Sequence, residues 1–102
     1  FRSSDAPEIY RFCYEVKAVV EEEFSEEFEA YMLAKHIAEV LQTGCFSRAR
    51  FGGEKGEYRT AYMATEMAGI DRYLESFTAA MRDDFKLHFP EGVELSRTIY
   101  EE

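Results

Sequence analysis

The hydrophobic pattern along this chain predicts an α+β fold of order β-α-β-β-α-β, in which a four-stranded antiparallel sheet carries two helices on one face. Three observations predict it. Apolar and polar residues alternate in four segments, and apolar residues recur at helical spacing in two others. Turn-forming residues punctuate the boundaries at Thr43-Gly44, at Gly52-Gly53-Glu54-Lys55-Gly56 and at Pro90-Glu91-Gly92. A length of 102 residues is ordinary for one core, whereas two cores would each fall below the length that folds unaided. Residues 1–8 read as a polar N-terminal tail and residues 9–102 as the single domain.

In chain order, Tyr10, Phe12, Tyr14, Val16, Ala18 and Val20 alternate with Arg11, Cys13, Glu15 and Lys17, which predicts a long first strand with one apolar side. Glu21 to Glu23 end the alternation. Ser25 is placed to cap a helix whose acidic first turn, Glu26-Glu27, suits the positive helix end. Phe28, Met32, Leu33, His36, Ile37 and Val40 then gather on one half of that helix, which sets His36 in its apolar face. Thr43-Gly44 stops it, since glycine takes the left-handed C-terminal conformation without a Cβ penalty.

Cys45 to Phe51 predicts a second strand, Gly52 to Gly56 a five-residue loop, and Glu57 to Thr65 a third strand. With a symmetric loop, Arg48 and Arg50 share a face with Tyr58, Thr60 and Tyr62, while Ala49, Ala61 and Met63 line the other; a bulge would shift that register. Thr65 is placed to cap a second helix with the stripe Ile70, Leu74, Phe77, Met81 and Phe85, ending at the basic turn Lys86 to His88. Val93 to Tyr100 alternates again as the last strand.

Composition narrows the function. Twenty-one Asp and Glu against twelve Lys and Arg give a formal charge of −9, which repels phosphate backbones and anionic lipid, so neither nucleic acid nor membrane is an expected partner. The chain start carries no signal-peptide pattern and the expected location is cytoplasmic. Cys13 and Cys45 fit no paired metal or redox motif; free thiols are expected, and no metal or other cofactor. Gly-Gly-x-x-Gly lies between antiparallel strands and opens no helix, so it is a turn and not a phosphate-binding loop. The three consecutive glutamates do not converge as cation ligands and read as a solvated helix entrance.

The split arrangement leaves one sheet face bare. Strands with apolar or aromatic residues on both sides would need that face covered, and the same face of a second copy is the usual cover, so a homodimer is expected. Two such ferredoxin-like sheets face to face form a dimeric α+β barrel. The segment His36-Ile37-Ala38-Glu39-Val40-Leu41-Gln42-Thr43-Gly44-Cys45-Phe46-Ser47 resembles the H-I-P-E-V-L-x-T-G-C-F-S stretch of a small, functionally uncharacterised bacterial domain family with this barrel fold. Arg72-Tyr73-Leu74, the aromatic and basic helix end from Phe85 to Phe89, and Arg97-Thr98 extend the resemblance over nearly the whole chain. The family's proline after His-Ile is Ala38 here, so the helix break that proline would impose is not enforced at His36.

Three groups are candidate ligand contacts. His36 titrates near neutral pH and can take a proton, hold a polar ligand or bind a haem iron, against the plainer reading of a core histidine satisfied by a carbonyl or a tyrosine hydroxyl. Arg48, Arg50 and Arg59 concentrate positive charge on the hairpin and can hold a carboxylate or phosphate, or simply pair with Glu15, Glu57 or Glu94. Tyr10, Tyr14, Tyr58 and Tyr62 suit a ligand cavity or a subunit interface. Cys45 as a nucleophile activated by His36 is disfavoured, because it follows the negative end of a helix. The expected function is a homodimeric binding or assembly module without its own catalytic chemistry. The alternative is a small enzyme resembling the antibiotic-biosynthesis-type monooxygenases and haem-degrading proteins of this barrel, with His36 as base or ligand contact. A closed core around His36 would sink the enzyme reading, and a void of roughly several hundred Å³ lined by His36 and tyrosines would support it.

Overall fold

The computed structural model describes residues 11–54 and 56–101. The expected tail, and Tyr10 with it, lie outside the described residues. Strand β1 (Phe12–Val20) leads through a 3-10 turn (Glu22–Phe24) into α1 (Ser25–Tyr31), a π-turn (Met32–His36) and α2 (Ile37–Gln42), which run on as one first helix. Strands β2 (Arg48–Glu54) and β3 (Glu57–Ala64) form a hairpin, followed by α3 (Met67–Ser76), α4 (Thr78–His88) and β4 (Val93–Glu101). The sheet order is β2-β3-β1-β4 and every pairing is antiparallel, the predicted ferredoxin-like arrangement.

Alternation in β1 and β3 puts Tyr14, Ala18, Tyr58, Tyr62 and Ala64 on one face, where Val40, Phe28, Ile70, Tyr73 and Phe85 of the helices bury them. The core is two clusters. One gathers around Tyr14, Phe46, Tyr62 and Tyr73, the other around Phe28, Tyr31, Tyr58 and Phe89. The opposite face mixes charge with apolar residues: Arg59 lies 3.5 Å from Glu15 and Lys17 lies 3.5 Å from Glu57 across the strands, on the same face as Cys13, Val19, Ala61 and Met63. β1 and β3 thus carry apolar residues on both faces, as the two-sided pattern requires.

Several boundaries differ from expectation. Ser25 does not cap the first helix, because the helical turn already begins at Glu22 and Ser25 itself has helical dihedrals. Cys45 and Phe46 precede β2, held in a connection where Thr43 Oγ1 donates to the Val40 carbonyl and accepts from the Cys45 amide. Glu66, rather than Thr65, stands at the start of α3. The expected single second helix breaks at Phe77, whose φ of −123° leaves the helical range. Because Phe77 still donates to the Tyr73 carbonyl and Met81 to that of Phe77, the apolar stripe stays in phase across the break and conceals it.

The hairpin register carries the largest functional consequence. Gly52, Gly53 and Glu54 continue β2, and the turn tightens so that Glu54 faces Glu57. Gly53 has a φ of 136°, and a Cβ there would sit 2.4 Å from the Glu57 carbonyl oxygen, so only glycine lets the strand run on. Arg48 therefore faces Met63, and Arg50 faces Ala61 instead of Tyr58. A shift by an odd number of residues moves a side chain to the other face, so both arginines lie on the face away from the helices and from Tyr58 and Tyr62.

Candidate functional site

The site begins with the π-turn. At Ile37 the backbone amide donates to Met32, five residues back, so one extra residue is looped into the helix. In a regular α-helix residues five apart sit ~140° apart around the axis; the wider turn brings Tyr31 and His36 together, with ring centroids 5.4 Å apart and nearly parallel. The same change of phase turns Leu33, placed in the apolar stripe by ideal spacing, out to 66% exposure and buries Tyr31 in its place.

Tyr31 and His36 join a polar network that crosses to α4. Tyr31 Oη donates to Asp84 at 2.7 Å, and Lys35 Nζ donates to the same carboxylate oxygen at 2.8 Å and to Glu39 at 3.3 Å. The only hydroxyl proton of Tyr31 is thus committed to Asp84. The His36 Nδ1 contact with Tyr31 Oη, 3.4 Å, then requires the Nδ1–H tautomer as donor, which leaves Nε2 as an acceptor. The His88 ring packs tilted against Tyr31, centroids 4.7 Å apart, and its Nδ1 lies 2.9 Å from the Asp84 carbonyl oxygen.

Charges follow from these contacts. The Lys35 ammonium and the Tyr31 hydroxyl hold the Asp84 carboxyl below its usual value, and the bond to Asp84 raises Lys35. Burial lowers the His36 pKa, so the imidazole is neutral at neutral pH. Burial, reinforced by Asp84, pushes the Tyr31 phenol up.

Next to this network a cleft opens between the helices and the sheet. Its floor is Tyr14, Val16, Thr60 and Tyr62, its helical walls include Met32, His36, Tyr73, Met81 and Phe85, and Arg82, Leu95 and Arg97 also line it. The empty space is about 540 Å³ counted out to the mouth, of which about 50 Å³ admits the centre of a water-sized sphere, so the cleft is a narrow slot. Tyr62 is 2% exposed, and its hydroxyl has no hydrogen-bond partner among the described residues. Burial pushes its phenol up strongly, with the neighbouring Tyr73, Tyr14 and Tyr31 adding to the effect. Burial also drives Tyr73, pushed up to about 12.

The five residues read from the sequence as ligand contacts divide three ways. His36 and Tyr62 meet in the cleft. Tyr58 belongs to the second core cluster, where its hydroxyl donates to Glu29. Arg48 and Arg50 stand on the far face, and Arg50 borders an open depression with Glu15, Glu57 and Arg59. Arg59 lies 3.4 Å from Glu57 as well as near Glu15. Cys45 accepts from Arg72 Nε at 3.3 Å and has no contact with His36, and neither Cys45 nor Cys13 is in a disulfide. The sequence reading missed Tyr31 and Asp84. Asp84 with His88 at i+4 is a visible pair, but nothing in the sequence marks a π-turn.

The model of a family described as Domain of unknown function (DUF4286) matches residues 11–102. No curated protein matches the chain. Among solved structures, MupZ from Pseudomonas fluorescens is similar with a TM-score of 0.65 and 12% identity, over 87% of this chain and 70% of that one. A dimeric ferredoxin-like protein from an uncultured marine organism is similar with a TM-score of 0.66 and 11% identity, over 92% and 96% of the two chains. SO0527 from Shewanella oneidensis follows at 0.56 and 15%, over 90% and 95%. Identities this low establish the fold alone. No helix among the described residues is long and apolar enough to cross a membrane. The match over residues 11–102 places the chain in the family of the domain of unknown function DUF4286, with a ferredoxin-like fold.

Proposed function

We propose that this domain is a homodimeric binding module that holds a small molecule in the cleft between the first helix, α4 and the sheet. One observation carries the reading: Tyr62 lines the cleft, and its buried hydroxyl has no hydrogen-bond partner among the described residues. Folded proteins pair their buried polar groups, and a buried hydroxyl left alone costs roughly 1–3 kcal/mol. A bound polar atom relieves that cost. The homodimer draws support from the dimeric description of the ferredoxin-like neighbour and from the apolar Val19 and Met63 on the sheet face away from the helices.

An enzymatic reading has one observation in its favour. His36 lines the cleft as a neutral imidazole with an acceptor nitrogen, the state required of a general base. The slot is narrow for a macrocycle, since pockets for drug-sized ligands run to roughly 300–1,000 Å³, so a small substrate fits this alternative better than haem.

Native mass spectrometry of the protein purified from its own source tests the proposal, because one spectrum reports copy number and retained mass. A dimer with added small-molecule mass that disappears in a cleft-filling variant is the expected result. A bare monomer under conditions that preserve weak complexes overturns both parts.

A further inference from the structure

Resting on the binding reading above, we infer that the cleft takes an organic monocarboxylate with a second oxygen at its far end, the carboxylate meeting Arg82 and Arg97 and the second oxygen reaching Tyr62. Arg82 of α4 and Arg97 of β4 both line the cleft and both are exposed, while Tyr62 also lines it and is buried, so the cations mark its mouth and the Tyr62 side chain its depth. Among the described arginines, Arg11 and Arg59 pair with carboxylates, Arg72 bonds Cys45 and Thr43, and Arg48 and Arg50 stand on the far face away from the cleft. Arg82 and Arg97 form no ion pair or hydrogen bond among the described residues. Of the two acids on α4, Asp83 follows Arg82 directly and so does not face it, and Asp84 already serves Lys35 and Tyr31.

Register places Arg97 deliberately. It pairs with Val16 across β1, and Val16 pairs with Thr60, so Arg97 stands at the edge of the row of small side chains that floors the slot. Its charge is near enough to Tyr73 to oppose the burial that raises that phenol. Guanidinium groups bind carboxylates through two parallel hydrogen bonds, and two of them at one mouth select an anion. Between mouth and depth the lining is apolar, with Val16, Ala18, Met81, Phe85 and Leu95, which suits a flat or slender body.

The test uses isothermal titration calorimetry with 4-hydroxyphenylacetate, its neutral isostere 4-hydroxyphenylacetamide, and phenylacetate, which lacks the far oxygen. The expected result is that the hydroxy acid binds at least about tenfold more tightly than the amide, with Arg82→Gln and Arg97→Gln each removing most of that preference. Phenylacetate should bind more weakly than the hydroxy acid to the wild type and equally to Tyr62→Phe. Equal binding of acid and amide overturns the carboxylate assignment while leaving a ligand cleft in place. Binding of none of the three overturns the cleft reading with it. Inorganic phosphate displacing the acid at equal concentration would assign the arginines to a phosphate instead and overturn the monocarboxylate.

Discussion

Replacing Tyr62 with Phe removes one oxygen and leaves the ring, which packs 5.4 Å from Phe46 and 6.3 Å from Tyr14. Since that hydroxyl is buried and unpartnered, the folded state carries its desolvation cost, roughly 1–3 kcal/mol, while the unfolded chain hydrates it. Tyr62→Phe should therefore stabilise the ligand-free protein by about 1 kcal/mol or more, raising Tm by roughly 4–8 °C for each kcal/mol in a domain of this size. Tyr31→Phe is the matched control. Its hydroxyl donates to the Asp84 carboxylate at 2.7 Å, and a bond to a charged group is worth about 1.5–3 kcal/mol, so this variant should lose stability. Urea and thermal unfolding of both variants read the two signs. A Tyr62→Phe protein that loses 1 kcal/mol or more would refute the reasoning, because the hydroxyl would then be bonded in solution and the cleft would have no group awaiting a ligand.

Two predictions concern pH and one concerns packing. Lys35 and Tyr31 hold Asp84 below its ordinary value in the folded state, so its contribution is present above about pH 4 and lost as pH falls through the depressed folded value. Asp84→Asn should flatten that part of the acid limb in urea titrations taken between pH 2 and 5 by the usual scale. Burial lowers His36, so the unfolded state takes its proton first, and stability should decline as pH drops below about 6.5; His36→Leu should lack that decline. At Gly69 an added Cβ would stand 2.5 Å from the Cys45 carbonyl oxygen, so Gly69→Ala should cost about 1–3 kcal/mol in chemical denaturation as α3 is forced off the loop before β2.

The strands, the helices and their order were legible because each rests on a repeating pattern that burial enforces. Tyr14, Ala18, Tyr62 and Ala64 face the helices as the alternation requires. The candidate cleft was legible in two of its lining residues, His36 and Tyr62, and illegible where one residue changes the phase. An extra residue in the π-turn brings Tyr31 beside His36 and expels Leu33, and no side chain in Met32 to His36 announces it. β2 runs three residues further into the turn than the glycines suggested, which shifts the hairpin register by an odd number and is why Arg48 and Arg50 lie away from the cleft. Arg82 and Arg97 were invisible as a pair because α4 and β4 meet only in three dimensions at the cleft.

Why the slot exists follows from the divided core. Tyr14 and Tyr62 anchor one cluster and Ala18 and Tyr58 the other, and the paired residues between them, Val16 and Thr60, are too small to join the two. Native interiors pack with few voids, so such a gap is either a flaw or a place kept open. Val16→Leu distinguishes them. The added methylene points at the empty row, where burying it is worth about 0.8 kcal/mol if the space accepts it. A flaw predicts greater stability and unchanged binding of the hydroxy acid. A ligand slot predicts greater stability together with at least about tenfold weaker binding, the opposition of stability and function expected where a protein keeps a cavity for use. Lower stability would mean that the space between the clusters is already filled by the motion of its walls, and the slot would not stand as a site.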